Sequence, residues 1–201
     1  MVNKNIKQKK IFLKEESIKK KISEAALNLL KSRSWSKIKM KDIFEKTGIK
    51  SNSAFLYVKN KKDILVLIQN YFDNQMYENI QDNATSNKHD KIFDILMTRF
   101  ELYNKHRTAV IKLFNYIINK PDLLIIFIPI TFKFLTNVLE LSDISSDGIY
   151  GNLKAEGLLI IYLMIFLVWK KDDTSGLEKT MTAVDNYLSR GESFINLFTK
   201  K

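Results

Sequence analysis

The sequence predicts an all-α fold in which a small basic N-terminal unit precedes a larger apolar helical body. Three observations lead to this prediction. Only two prolines and six glycines occur in 201 residues, so long stretches lack the residues that usually end helices. Hydrophobic residues make up 45% of the chain, which indicates a substantial core and excludes an intrinsically disordered protein. Apolar residues recur at spacings of three and four, and no segment shows a competing strand pattern.

The N-terminal segment predicts a basic arm followed by a helix. Residues 1–14 contain five lysines without a clear period and predict a flexible basic arm, or a helical extension that a partner orders. From Ser17 onward the apolar residues fall on one helical face. These residues are Ile18, Ile22, Ala25, Ala26, Leu29 and Leu30. Trp35 follows in a short connection, where we expect it to fill the junction between helices.

Three further helices are predicted before a polar loop. Residues 40–47 fit a second helix, which Gly48 would end because glycine readily adopts a left-handed conformation. Ser51 can cap a third helix that runs to about Val58. Asn60 can cap a fourth helix that runs to about Ile80, and the aspartate three residues later favours the positive end of that helix.

The rest of the chain predicts a helical body. Residues 81–90 are polar and predict a loop. The body helices are predicted at 90–104, 106–119, 122–141 and 152–170, and the third of these is expected to be interrupted or kinked at Pro129. A last helix is predicted to start at a capping box, Ser175–Glu178, and to run to about Phe198. We therefore expect four segments: a basic arm (1–14), a smaller helical domain (15–62), a connecting helix (63–80) and a larger helical domain (81–201).

The net charge of +11 is concentrated in the first third of the chain. Residues 1–62 contain 18 Lys and Arg against 5 Asp and Glu, a net charge of +13, whereas the remainder contains 15 against 17. A basic head on a near-neutral body is typical of a module that binds a polyanion. The alternative is a solvated basic face that reflects compositional bias, since lysines outnumber arginines 29 to 4.

Residues 41–65, KDIFEKTGIKSNSAFLYVKNKKDIL, carry the most specific motif. Two short helices joined by a glycine turn favour a helix-turn-helix, whose second helix enters the major groove of DNA. Packing is expected from Ile43, Phe44, Ile49, Phe55 and Val58. The stretch resembles the signature of TetR-family transcriptional regulators, with Asp42-Ile43, Gly48-Ile49, an aromatic recognition helix and Lys61 at the matching positions.

This resemblance implies an all-α, TetR-like fold and a set of residues that bind double-stranded DNA. Tyr57 and Lys61 would lie against phosphates, and residues 50–53 would lie nearest the base edges. The expected DNA-binding residues are Lys39, Lys50, Ser51, Asn52, Ser53, Tyr57, Lys59 and Lys61, with Leu56 also facing outward and Lys62 also available to phosphates. The chain departs from the family at Ile38-Lys39 and Lys50, where capping residues are usual, and at Val58, where Phe is usual.

Aromatic residues of the body predict either a ligand pocket or ordinary core packing. The candidate pocket residues are Phe100, Tyr103, Phe114, Phe127, Phe132, Tyr162 and Phe166. The TetR resemblance implies that the body holds a cavity. Because no inward-facing cluster of Arg or Asp is evident, we expect the ligand to be small and hydrophobic.

The nearly continuous apolar run 158–167 predicts a helix buried on every side, and hence a subunit interface. TetR-like regulators dimerise through their last two helices, so the resemblance implies a twofold homodimer. The expected interface residues are Leu159, Leu163, Phe166, Leu188 and Ile195. The alternative is a lipid-entry surface that faces a membrane.

A second resemblance gives an alternative function. Residues 89–113 and 169–192 look like the body of the ubiquinone-biosynthesis accessory proteins, which share the TetR fold and bind lipid or isoprenoid. That likeness implies an accessory protein with little or no DNA reading.

Enzymatic chemistry finds little support in the sequence. The absence of cysteine excludes disulfides and thiolate metal sites, and the two histidines, His89 and His106, have no partners at ligand spacing. Asp172-Asp173 is expected to lie in a loop and not to form an acid pair. We therefore expect a cytoplasmic protein with no catalytic activity, no metal, no cofactor and no membrane span.

Overall fold

The computed structural model describes residues 2–80 and 87–199, with the side chains of 14–50, 53–80 and 87–191. These residues form nine α-helices and one 3-10 turn, and the described ranges contain no strand. The elements are α1 (Val2–Ser32), the 3-10 turn (Trp35–Lys37), α2 (Met40–Thr47), α3 (Ser51–Ala54), α4 (Lys61–Asn79), α5 (Lys88–Lys105), α6 (Arg107–Ile118), α7 (Pro121–Leu141), α8 (Gly148–Trp169) and α9 (Glu178–Thr199).

The chain forms two compact units, Met1–Asn74 with His106–Leu123 and Gln75–Lys105 with Leu124–Lys201. In the N-terminal unit α1 packs on α2 and α6, and Trp35 is buried at the junction as expected. In the C-terminal unit α9 packs on α5 and α8. The predicted segments 15–62, 63–80 and 81–201 divide the chain differently, because α6 belongs to the same unit as α1 and α2.

The capping of α4 confirms the prediction for Asn60. Its side-chain Oδ1 accepts hydrogen bonds from the backbone N–H groups of Lys62 (2.7 Å) and Asp63 (3.1 Å). The Asp63 carboxylate in turn accepts from the backbone N–H groups of Lys59 (2.7 Å) and Asn60 (3.2 Å). Two donors in the first turn of α4 and the two donors of the residues just before it are thus bonded, which fixes the start of α4.

Several helix boundaries differ from the predictions. Helix α1 begins at Val2, so the backbone of the predicted arm is helical, and α8 begins at Gly148 and not at 152. Helix α7 runs without interruption through Pro129. Both Pro129 and Ile125, the residue whose carbonyl loses its intrahelical donor, are exposed, so water can replace the missing hydrogen bond.

The start of α9 is capped differently from the prediction. The prediction of a capping box that begins at Ser175 was wrong, because Thr174 Oγ1 accepts the hydrogen bond from the Glu178 N–H at 2.9 Å. Asp172 is 2% exposed, and its carboxylate accepts from the N–H and hydroxyl groups of Thr174 and Thr180. Burial raises the pKa of this carboxyl, but the four hydrogen bonds outweigh it and hold the pKa at about 2.

Candidate nucleic-acid interface and helical body

The candidate interface is built on α2, a glycine turn and α3, all within the N-terminal unit. Gly48 has φ of +67°, which a side chain would strain, and this reverses the chain after α2. The hydroxyl of Thr47 donates to the Phe44 carbonyl at 2.7 Å and accepts from the Ile49 N–H at 3.1 Å. These bonds satisfy groups at the end of α2 and hold the turn in shape.

Buried apolar residues fix the position of α3. Ile43, Phe44, Ala54 and Val58 are at most 2% exposed. Phe55, expected to pack inside, lies with its ring edge-on to Phe44 at 5.2 Å between centroids and is still 48% exposed. The core therefore holds α3 at its C-terminal end, whereas Ser53 and Leu56 are exposed.

Helix α3 is shorter than predicted. It ends at Ala54 and not near Val58, and the chain continues as a turn in which the Ala54 carbonyl accepts from the N–H groups of Tyr57 (3.0 Å) and Val58 (3.2 Å). Bulky aromatic and β-branched residues in this stretch disfavour helix continuation. The outward surface is therefore part helix and part turn.

The structure brings together most of the predicted DNA-binding residues on this unit. Lys39, Lys50, Ser53 and Lys59 are exposed, Tyr57 is half-buried, and the side chains of Ser51 and Asn52 lie outside the described residues. Leu56 is 79% exposed, and with Phe55 it adds an apolar patch to the basic surface. Lysines can bind phosphates, and exposed apolar groups can contact thymine methyl groups.

Lys61 has a contact that the sequence did not indicate. Its Nζ donates a hydrogen bond of 2.5 Å to the Trp35 carbonyl and lies 4.7 Å from the centroid of that ring. Partial burial lowers the pKa of Lys61, and the charge of Asp42 opposes this effect. In the free protein Lys61 therefore braces the 3-10 turn against α4.

Lys112 on α6 stabilises the C-terminal end of α1. Its Nζ donates to the carbonyl oxygens of Leu30 (2.8 Å) and Lys31 (3.0 Å), which are among the last carbonyls of the helix. A cation at a helix C-terminus is favourable because the unsatisfied carbonyls carry partial negative charge. No local sequence pattern could have identified this bond, since the partners are more than 80 residues apart.

In the C-terminal unit four of the predicted pocket residues form one aromatic cluster. Phe100, Tyr103, Tyr162 and Phe166 are buried and lie within about 6 Å of one another in successive ring contacts. Tyr162 donates a hydrogen bond of 2.9 Å to the Tyr103 hydroxyl, and burial raises the pKa of Tyr162 well above its usual value. Phe127 and Phe132 on α7 are half-buried, as is Phe114, which belongs to the other unit.

Arg99 is the residue of this cluster that sequence reasoning missed. It is fully buried, and its guanidinium carbon lies 4.9 Å from the centroid of the Tyr103 ring and 4.7 Å from that of Phe134. The sequence showed no inward-facing cluster of Arg or Asp, and the structure buries this single arginine among aromatic rings. A guanidinium on aromatic faces places a positive charge inside the apolar body.

The predicted dimer residues are only partly at the surface. Leu163 is 46% exposed and Leu159 is half-buried, whereas Phe166 and Leu188 are core residues at 6% and 5% exposure and offer little surface to a second subunit. The side chain of Ile195 lies outside the described residues. The exposed apolar stripe of α8 consists of Leu153, Ile160, Leu163, Met164 and Leu167, at helical spacings of three and four after position 160.

Helices α7 and α8 are also long and apolar enough to cross a membrane by length and composition alone, with mean hydropathies of 1.8 and 1.7. Core helices of soluble proteins meet the same criterion, so this is weak evidence for a span. Within the described ranges, no group of three or more His, Asp or Glu side chains could hold a metal ion.

Comparison with known proteins identifies the fold. No protein-family model matches the chain, and no curated protein matches it in sequence. A TetR transcriptional regulator from Nitrosomonas europaea ATCC 19718 matches over 88% of this chain and 99% of its own, with a TM-score of 0.74 and 16% identity.

Two further solved structures agree. A TetR transcriptional regulator from Rhodococcus sp. RHA1 matches over 87% of this chain and 97% of its own (TM-score 0.58, 13% identity). A TetR-family regulator from Streptomyces coelicolor matches over 91% and 83% (TM-score 0.63, 12% identity). The prediction of an all-α, TetR-like fold is therefore confirmed.

Proposed function

We propose that the chain is a DNA-binding transcriptional regulator that acts as a homodimer in the cytoplasm, in the manner of a ligand-responsive repressor. The observation that carries the proposal is the α2–Gly48–α3 arrangement, whose outward face carries Lys39, Lys50 and Lys59. Such a face supplies the phosphate contacts that position a protein on duplex DNA, and an adjoining helix face can read base edges. We assign it no enzymatic activity.

The comparisons and the charge distribution favour this function over the lipid-binding alternative. The three solved neighbours are transcriptional regulators by their descriptions, and the likeness to lipid-binding accessory proteins gains no support from the comparisons. The concentration of positive charge in residues 1–62 also favours DNA binding over lipid binding, because positive side chains neutralise DNA phosphates.

The test is selection of the purified protein on randomised duplex DNA at about 150 mM salt, followed by sequencing of the retained duplexes. An enriched palindrome, with half-sites about 34–36 Å apart, is the expected result for a twofold dimer with heads in successive major grooves. No enrichment, together with co-purified isoprenoid or phospholipid found by mass spectrometry, would favour the accessory-protein function.

The homodimer proposal rests on the exposed stripe of α8. Ile160 and Leu167 are 61% and 51% exposed in a helix that carries no charged residue between Glu156 and Lys170. Exposing such a continuous apolar surface to water is unfavourable, and a second copy would cover it with an identical stripe. The same burial would explain the high mean hydropathy of α8 in a soluble protein.

Substitution within the stripe tests the dimer. We expect Ile160→Arg and Leu163→Arg to shift the sedimentation profile from dimer to monomer, because each would place a charge in an apolar contact. Ile125→Arg, at a similarly exposed apolar position of α7, is the matched control and should remain dimeric. A dimer that survives both α8 substitutions would place the interface elsewhere.

The ligand proposal rests on the aromatic cluster of the C-terminal unit. A regulator responds to a small molecule when that molecule binds two conformations unequally. We expect the ligand to be small and hydrophobic, because the cluster is aromatic. Native mass spectrometry of the purified protein should detect such a molecule, and adding it should change the affinity for the selected duplex.

A further inference from the structure

A concavity of about 520 Å³ lies in the N-terminal unit, next to the start of α4. Its walls come from the 3-10 turn, the first turn of α4 and the turn between α6 and α7. The residues that matter are Trp35, Lys61, Lys62, Tyr116, Lys120 and Asp122. None of the predicted DNA-binding residues lies on the α6–α7 turn, so this surface is additional to the helix-turn-helix.

The concavity is basic. Three lysines line it against one carboxylate, and Lys61 is directed inward to the Trp35 carbonyl. Lys62 and Asp122 form an ion pair at 2.8 Å with both side chains about half exposed. The pKa of Asp122 is lowered mainly by its hydrogen bond to Lys62. The charge of Lys120 lowers this pKa further, so Lys120 acts on the same part of the concavity wall.

The Lys62–Asp122 pair also relates the concavity to the helix-turn-helix, which α4 follows directly in the chain. Lys62 is in the first turn of α4, three residues after Lys59 and eleven after the start of α3. Its contact with Asp122 joins the first turn of α4 to the start of α7.

We propose that the α6–α7 turn is a second phosphate-binding part of the DNA interface, in which Lys62 and Lys120 bind a backbone phosphate in the duplex flank. This inference rests on the proposed function. Asp122 holds Lys62 in position in the free protein and gives way to the phosphate when DNA binds. Exposed ammonium groups hold a small anion weakly in water, whereas a polyanion gains from counterion release, so the observations favour DNA over a free phosphate.

The experiment compares duplexes of two lengths by fluorescence anisotropy between about 50 and 200 mM salt. The long duplex carries the selected site with flanks, and the short duplex is trimmed to the selected half-sites. On the long duplex Lys120→Gln should weaken binding by about three- to tenfold and reduce the salt slope by about 0.9 for each phosphate that is no longer neutralised. Asp122→Asn should strengthen binding to the long duplex and increase the salt slope, because it frees Lys62 and removes a competing anion. Neither variant should differ from wild type on the short duplex.

Matched controls carry the same charge changes elsewhere. Lys133→Gln on α7 and Glu101→Gln on α5 are exposed positions outside the N-terminal unit and should leave the affinity unchanged. Because Lys120 and Asp122 are exposed, the variants should keep the wild-type melting temperature, which a circular dichroism melt checks before binding is measured.

The outcomes separate this inference from the proposed function. If Lys50→Gln weakens binding but Lys120→Gln and Asp122→Asn match wild type on the long duplex, the flank contact is overturned and the regulator stands. If wild type binds neither duplex, both fail. If calorimetry detects inorganic phosphate binding that Lys120→Gln abolishes while duplex affinity is unchanged, the site takes free phosphate and the flank contact is again overturned.

Discussion

The ammonium group of Lys61 is hydrogen-bonded at 2.5 Å to the carbonyl oxygen of Trp35 and lies 4.7 Å from the centre of the indole. The same lysine occupies the position at which the family resemblance implies a phosphate contact. Lys61 thus links the 3-10 turn to the first turn of α4 and is also a proposed contact for a DNA phosphate. A loss of DNA binding on mutation of Lys61 would therefore have two causes, and they must be separated.

We expect Lys61→Met to lower the free energy of unfolding by about 1–2 kcal/mol, because it removes a charge-assisted hydrogen bond and a cation–π contact that are partly shielded from water. Urea unfolding monitored by circular dichroism measures the change. Lys59→Met, at an exposed position two residues earlier, should change stability by less than about 0.5 kcal/mol and still weaken DNA binding. Equal stability losses in the two variants would show that the Trp35 contact is not stabilising.

We expect Lys112→Met to destabilise the end of α1 by about 1 kcal/mol, because two terminal carbonyls lose their donor while the apolar part of the side chain is kept. Hydrogen exchange measured by mass spectrometry should show faster exchange in the last turns of α1. Lys105→Met, exposed and one helix earlier, is the control and should leave that exchange unchanged.

The pKa of Asp172 predicts how stability depends on acid. Its pKa is about 2 in the folded protein, against an ordinary value of 3.8, so the folded state favours the charged form. The corresponding stability of about 2 kcal/mol is present above about pH 4 and is lost as the pH falls toward 2. We expect Asp172→Asn to be less stable than wild type at pH 7, with the difference shrinking below pH 4. Thermal melts across this range test the prediction, with exposed Asp94→Asn as the control, for which a parallel curve is expected.

Gly151 and Gly157, both in α8, make a matched pair. A Cβ at Gly151 would lie 2.0 Å from the Ser146 carbonyl carbon and 2.1 Å from its oxygen, which are backbone atoms, whereas a Cβ at Gly157 would meet nothing within 4 Å. We expect Gly151→Ala to cost at least about 1–3 kcal/mol, since the backbone before α8 must move. Gly157→Ala should be neutral or stabilise by up to about 1 kcal/mol through helix propensity. A Gly151→Ala variant that melts at the wild-type temperature would show that the Ser146 backbone does not restrict position 151.

Local patterns in the sequence predicted the helices and the turn. The bounds of α2, the glycine at position 48 and the Asn60 cap follow from short-range chemistry, which acts between residues a few positions apart. The stop of α3 at Ala54 was missed, although the aromatic and β-branched residues that follow it disfavour helix continuation. Likewise Ser175 resembled a cap, but the buried carboxylate of Asp172 and the hydroxyl of Thr174 bind the α9 donors instead.

The candidate site was predicted less completely than the fold. Exposed lysines near α3 were expected, because charge and position are both visible in sequence. The interactions of Lys61, Lys112 and Arg99 were missed, since each is set by partners from other elements. For the exposed apolar stripe of α8, composition identified the helix but not its outward face, because nearly every position from 158 to 169 is apolar and the period is lost.

The bonds of Lys112 have an evolutionary consequence. Their acceptors are main-chain carbonyls, which every residue provides, so positions 30 and 31 could be exchanged for other helix-compatible residues while the bonds persist. The constraint falls on the lysine alone and leaves no paired change for covariation to reveal. Structures held together in this way can diverge far in sequence while the architecture persists, and interactions of this kind would stay invisible to comparisons based on correlated substitutions.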